Sequence, residues 1–152
     1  MEVARNTALL ATGKLPEPRV AKSIAGELAP VIDEPLSVGD HQALPKIRKA
    51  MIDVAAAPFG TASKYLNTPV LVGAKTGTAQ VVGIPQDEKQ RMQESELEYY
   101  QRSHAWLTTY APASDPEYVV IVLIEHGGHG GNAAGPIVSR IYDKMEQLGY
   151  FR

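Results

Sequence analysis

The sequence predicts an α+β fold, an antiparallel sheet flanked by helices. Three observations carry that prediction. Helical spacing recurs at residues 44–57 and 136–148. Three strand-like runs follow one another between residues 69 and 125, and Asp115-Pro116 supplies a turn that pairs the last two as a hairpin. With 152 residues, 44% of them apolar, the chain has the size and composition of one globular unit.

In chain order, residues 3–11 have helix-forming composition, stopped by Gly13 with Pro16 just beyond. No Ser, Thr, Asp or Asn caps that helix, so the chain reads as beginning inside an element. Residues 16–35 carry Pro16, Pro18, Pro30 and Pro35, which leave room for one short extended segment at 19–24 between loops. In 44–57, Ile47, Met51, Val54 and Ala55 form an apolar stripe; Pro45 suits the first turn, and Pro58 with Gly60 ends the helix. Residues 69–82 read as a strand, β-rich at Val70, Leu71 and Val72 and again at Val81 and Val82. Residues 86–103 are rich in Glu, Gln and Arg and read as a solvated helix or a long excursion between strands. Residues 104–110 and 117–125 are strands; the apolar run Tyr118–Ile124 suits a strand buried on both faces. A last helix at 136–148 places Ile137, Ile141, Met145 and Leu148 on one stripe and stops at Gly149.

Composition excludes several functions. Fifteen Lys and Arg against 17 Asp and Glu leave a net charge of −2, too balanced for a nucleic-acid footprint. There is no cysteine, which removes disulfide scaffolds, thiolate metal sites and cysteine nucleophiles. The longest apolar run is far short of the ~20 residues that span a bilayer, and the N-terminus does not read as a signal peptide. Any membrane anchor would lie outside this chain.

Chemistry concentrates in Lys75-Thr76-Gly77-Thr78-Ala79-Gln80. On a strand, Lys75 and Gly77 project to one face and Thr76 and Thr78 to the other. A strand glycine often marks a place where a ligand or another backbone approaches closely. One lysine and two hydroxyls around that gap suit the carboxylate of an extended peptide, which could add along the strand's edge. A phosphate cradle is excluded, because no Gly-x-x-x-x-Gly-Lys precedes Thr76.

The surroundings of this run carry a resemblance. Gly60-Thr61-Ala62 comes first, then Gly73-Ala74 leading into Lys75, then His104-Ala105-Trp106-Leu107 and Tyr110-Ala111-Pro112. Glu125-His126-Gly127-Gly128 and Ala133-Ala134-Gly135-Pro136-Ile137 follow the apolar strand. This succession resembles the C-terminal part of the transpeptidase domain of class B penicillin-binding proteins, whose Lys-Thr-Gly is shared with serine β-lactamases. The Glu-His-Gly-Gly ending and the long insertion before His104 look most like the penicillin-binding protein 2 branch, the cell-elongation enzymes. One departure is Leu107, where the family usually has Phe after Trp.

The resemblance implies a D,D-transpeptidase that cross-links peptidoglycan by serine acyl transfer without ATP, metal or cofactor. Lys75 would hold the charge and proton network of the cleft. Thr76 and Thr78 would bind the carboxylate of a D-Ala-D-Ala stem peptide or of a β-lactam, with Gly77 giving the substrate backbone room. The Thr78 backbone N–H would be one donor of the oxyanion hole. The resemblance further implies a protein at the periplasmic face of the bacterial inner membrane, partnered by an elongation-complex glycosyltransferase.

Two further motifs of that family are absent. None of the seven serines has Lys three residues later or Asn two residues later. The nucleophilic serine and its base lysine are therefore not in this chain, which is expected to be the C-terminal part, residues 1–152, of a single transpeptidase domain and inactive alone. The missing N-terminal part of the same protein is its expected partner. A β-lactamase or penicillin-sensor fragment is the first alternative, opposed by the 27 residues between Thr76 and His104. A non-catalytic interaction module is the second.

Other features have plainer readings. His126 and His129 sit among Gly127, Gly128, Gly130 and Gly131, where nothing rigid would support a metal, so a flexible connection is expected. His104 and Trp106 read as packing residues, and Glu125 as a structural hydrogen-bonding group. No Gly-x-Ser-x-Gly elbow exists.

Overall fold

The computed structural model describes residues 1–35, 42–83, 93 and 96–151. Helix α1 (Glu2–Thr12) ends on Gly13, whose φ of 81° is the left-handed cap expected there. Helix α2 spans Leu44–Ala56 with Pro45 in its first turn. Strands β5 (Gly73–Ala79), β6 (His104–Ala111) and β7 (Tyr118–Ile124) form an antiparallel sheet in the order β5-β6-β7. Helix α3 (Gly130–Gln147) closes the chain. The α+β reading holds.

The two faces of the sheet are covered by different helices. On one face Thr108 of β6 shares a 2.7 Å hydrogen bond with Thr7 of α1, and Tyr110 packs with Ala11 and Met51. On the other, Leu107 and Ala111 pack with Ala134, Val138 and Tyr142 of α3. The α2 stripe is as expected: Met51 and Ala55 are buried, with Ile47 and Val54 against the two clusters.

Four expectations are corrected. Residues 14–35 hold a two-tier hairpin rather than one extended segment at 19–24. In it β1 (Lys14–Pro16) pairs with β4 (Asp33–Pro35) and β2 (Ser23–Ile24) with β3 (Glu27–Leu28). Gly26, at φ 88°, makes the tight turn that the proline count obscured. The strand expected over 69–82 is confined to Gly73–Ala79. Strand β7 is not buried on both faces; it is half-buried, with Leu123 42% exposed, because it is an edge of the described sheet. Finally, α3 begins at Gly130, six residues before Pro136, so Gly130 and Gly131 are buried helix and not a flexible link.

The α3 stripe shifts as well. Ala134, Val138 and Tyr142 face the sheet and Gly135 and Ser139 lie against Tyr65 and Asn67, whereas Ile137 is 41% and Leu148 62% exposed. A Cβ on Gly130 would stand 2.1 Å from the Trp106 carbonyl oxygen and 2.6 Å from that of Gly77. Close backbone approach thus selects the small residues, and the stripe follows them. Most of the excursion read at 86–103 lies outside the described residues; its end carries a 3-10 turn, Tyr99–Gln101.

Candidate active-site strand

Lys75, Thr76, Gly77 and Thr78 occupy the middle of β5, opposite Thr108, Leu107, Trp106 and Ala105 of β6. Their alternation is the one expected. Lys75 and Gly77 share the α1 face with Thr108, and Thr76 and Thr78 share the α3 face with Leu107. Only one side of β5 is paired among the described residues, so the run lies along an edge of the described sheet.

Each side chain has a defined setting. Lys75 is exposed, and its ammonium donates to the Thr76 carbonyl at 2.5 Å. Among the described residues no carboxylate pairs with it. The Thr76 hydroxyl lies 3.0 Å from the Thr61 hydroxyl, and Thr78 is exposed. A Cβ on Gly77 would meet the Trp106 Cβ at 3.1 Å, so glycine leaves open the surface over that tryptophan. Along a strand a residue's N–H and C=O point to one side, and residues two apart share it. Thr76 and Thr78 therefore present their backbone groups alike.

Below the strand's end lies a ring cluster. The His104 Nδ1 accepts from the His126 backbone N–H at 2.9 Å, and the two rings stand 4.8 Å apart. The His126 Nδ1 lies 3.2 Å from the Arg102 carbonyl, and its ring contacts Tyr99 and Tyr100. His126 and His129 are thus set apart in role, the second being the residue before α3. Among the described residues no group of three His, Cys, Asp or Glu side chains is placed to hold a metal. Trp106 is half-buried, and Glu125 is exposed.

Residues 1–143 match the model of the penicillin-binding protein transpeptidase domain. The chain belongs to this family. A curated member, peptidoglycan D,D-transpeptidase MrdA of Haemophilus influenzae, is 32% identical over 151 residues, covering 94% of this chain and 23% of that protein. The MrdA of Acinetobacter baumannii is 41% identical over 90 residues, covering 59% of this chain and 13% of that protein. Among solved structures, Helicobacter pylori PBP2 in its complex with MreC superposes with a TM-score of 0.80 at 33% identity, over 98% of this chain and 25% of that one. Pseudomonas aeruginosa PBP2 in complex with WCK 5153 gives 0.69 at 29% identity, over 90% of this chain and 27% of that one. The chain therefore spans about a quarter of the length of these transpeptidases. The resemblance read from residue 60 onward to the penicillin-binding protein 2 branch is borne out, as is the family's mixed helix-and-sheet fold.

In this transpeptidase-family chain the motif was visible in the sequence because it is contiguous. Its supports were not. Thr61 stands fifteen residues before Thr76, and Gly130 more than fifty residues after Gly77, yet both lie against the motif strand. The signal was present in Gly60-Thr61-Ala62 and in the glycine pair, but nothing local says what they touch.

Proposed function

We propose that residues 1–152 are the Lys-Thr-Gly-bearing C-terminal part of a peptidoglycan D,D-transpeptidase that also binds penicillin. The observation that carries this reading is the place of β5 at an edge of the described sheet, along which Lys75, Thr76, Gly77 and Thr78 are presented. An extended stem peptide adds to that edge, held by main-chain hydrogen bonds. Thr76 and Thr78 bind its terminal carboxylate, and the Lys75 charge favours the anion and the proton transfers beside it.

A serine from the part of the domain preceding this chain attacks the penultimate D-Ala carbonyl, with a neighbouring lysine taking its proton. The carbonyl oxygen becomes an oxyanion that accepts from the Thr78 N–H, a donor worth about 2.7–4 kcal/mol in the transition state. The C–N bond breaks and the terminal D-Ala leaves. The amine of a neighbouring stem then attacks the acyl-enzyme, restoring the serine and forming the cross-link. Penicillin follows the first step and stays attached.

Among the described residues no helix is long and apolar enough to cross a membrane; the complete enzyme's place in this reading is the periplasmic face of the inner membrane. The H. pylori relative is solved with MreC; a protein of that kind and an elongation glycosyltransferase are the partners of the complete enzyme. The test is Lys75→Ala in the full-length protein, read as the rate of acylation by a fluorescent penicillin. A slowing on the order of 10²-fold is expected. Unchanged acylation would mean that residues 1–152 serve only as an interaction surface, and rapid release of hydrolysed penicillin would mean a β-lactamase.

A further inference from the structure

We infer that Thr61 is a positioning residue of this site, its hydroxyl fixing the Thr76 hydroxyl in the orientation that donates to the carboxylate of the bound peptide. The inference rests on the reading above that Thr76 binds that carboxylate. The two hydroxyl oxygens are 3.0 Å apart. A hydroxyl has one proton to donate, and an ionised carboxylate only accepts. When Thr76 donates to the carboxylate, its oxygen is left as the acceptor in the pair, so Thr61 must be the donor. The chain Thr61 O–H to Thr76 O–H to carboxylate then runs in one direction, and each bond polarises the next.

Thr61 is placed for this by backbone on both sides. The Ala62 N–H donates to the Val54 carbonyl of α2 at 3.1 Å, and Ala62 is fully buried. Gly60 before it has no space for a side chain, since a Cβ would stand 2.3 Å from the Asp53 carbonyl oxygen and 2.4 Å from that of Val54. On the other side, a Cβ on Gly131 of α3 would meet the Thr61 carbonyl oxygen at 2.7 Å. The residue is clamped between the end of α2 and the first turn of α3. Thr76 is β-branched, and its χ1 decides whether the hydroxyl or the methyl faces the ligand. A hydroxyl carried beside it on this clamped backbone, though exposed, biases that choice before the ligand arrives.

The experiment uses the full-length protein and compares acylation by penicillin with acylation by its methyl ester, which lacks the anionic carboxylate. Thr61→Val keeps the branched shape and removes the hydroxyl; Thr61→Ser keeps the hydroxyl. Thr61→Val is expected to lower the penicillin rate about fivefold relative to the ester rate, as for one lost hydrogen bond. Thr61→Ser restores the ratio, and Thr61→Val causes no further loss in a Thr76→Val background. The ratio of two rates is unchanged by a misfolded fraction. Equal slowing with both ligands, or a full additional loss on top of Thr76→Val, would overturn the positioning role. A loss in Thr76→Val without one in Thr61→Val overturns it alone. An unchanged ratio in Thr76→Val overturns the carboxylate reading and this inference with it.

Discussion

A hydrogen atom in place of a methyl group decides several contacts beside the motif strand. Gly130 lies directly on β5 and β6, and an alanine there would press into two backbone carbonyl oxygens, those of Trp106 and Gly77. Neither can yield unless α3 lifts from the sheet, so Gly130→Ala is expected to cost about 1–3 kcal/mol or more. Gly149 offers the contrast. Its φ is 76°, and a Cβ there would meet nothing within 4 Å. Gly149→Ala is strained only by its left-handed backbone, at about 1–2 kcal/mol. In the full-length protein both variants should melt earlier, but only Gly130→Ala should also slow acylation by penicillin, because only it displaces the strand that carries Gly77. Thermal melts paired with acylation rates test this.

The docking of α3 onto β6 turns on one buried hydroxyl pair. Tyr142 and Thr109 are both fully buried, their oxygens 2.8 Å apart, and the Thr109 hydroxyl also donates to the Val120 carbonyl at 3.1 Å. Tyr142 is therefore the donor to Thr109, and must be neutral to act as one. Burial pushes the Tyr142 hydroxyl up to about 12 from its ordinary value of 10.0, with the Thr109 hydrogen bond pulling the other way. A raised value means the neutral form is favoured by folding. That stabilisation is complete below pH 10 and is lost as pH rises towards 12, by roughly 2–3 kcal/mol in all. Unfolding free energies of the native protein and Tyr142→Phe, followed with pH, should differ by a constant below pH 10 and by a falling amount above it. The helix bearing Tyr142 also marks a limit of sequence reading. Helix propensity disfavours Gly130 and Gly131, and Pro136 looks like a first-turn residue, so the local signal starts the helix too late. The sheet backbone that rewards glycine is supplied by residues far away in the chain. By contrast α1, α2, β6 and β7 were legible, because their boundaries are set locally by Gly13, Pro45, Pro58 and Asp115-Pro116.

At the scale of the molecule, the described sheet has a covered middle strand and two edges, and the motif strand is one of the edges. Lys75, Thr76, Gly77 and Thr78 were legible because one short run carries them; the hydroxyl of Thr61 and the His104–His126 contact were not, since each joins distant segments. What the sequence lacks bears equally on the transpeptidase reading proposed above. Acyl transfer needs a serine activated by a base, and no serine here has the required lysine three residues on. Two of these serines have structural duties: Ser63 donates to the Gly60 carbonyl at 2.9 Å, and Ser139 donates to the Gly135 carbonyl while accepting from the Asn67 N–H. Among the described residues neither hydroxyl is bonded to a lysine or histidine that could take its proton. Full-length protein treated with labelled penicillin, then digested and mapped by mass, should carry the label on one serine peptide outside residues 1–152. Label on Ser63, Ser139 or any other serine of this chain would mean that the edge of β5 serves a nucleophile of its own, and that the division of the domain proposed for these residues is wrong.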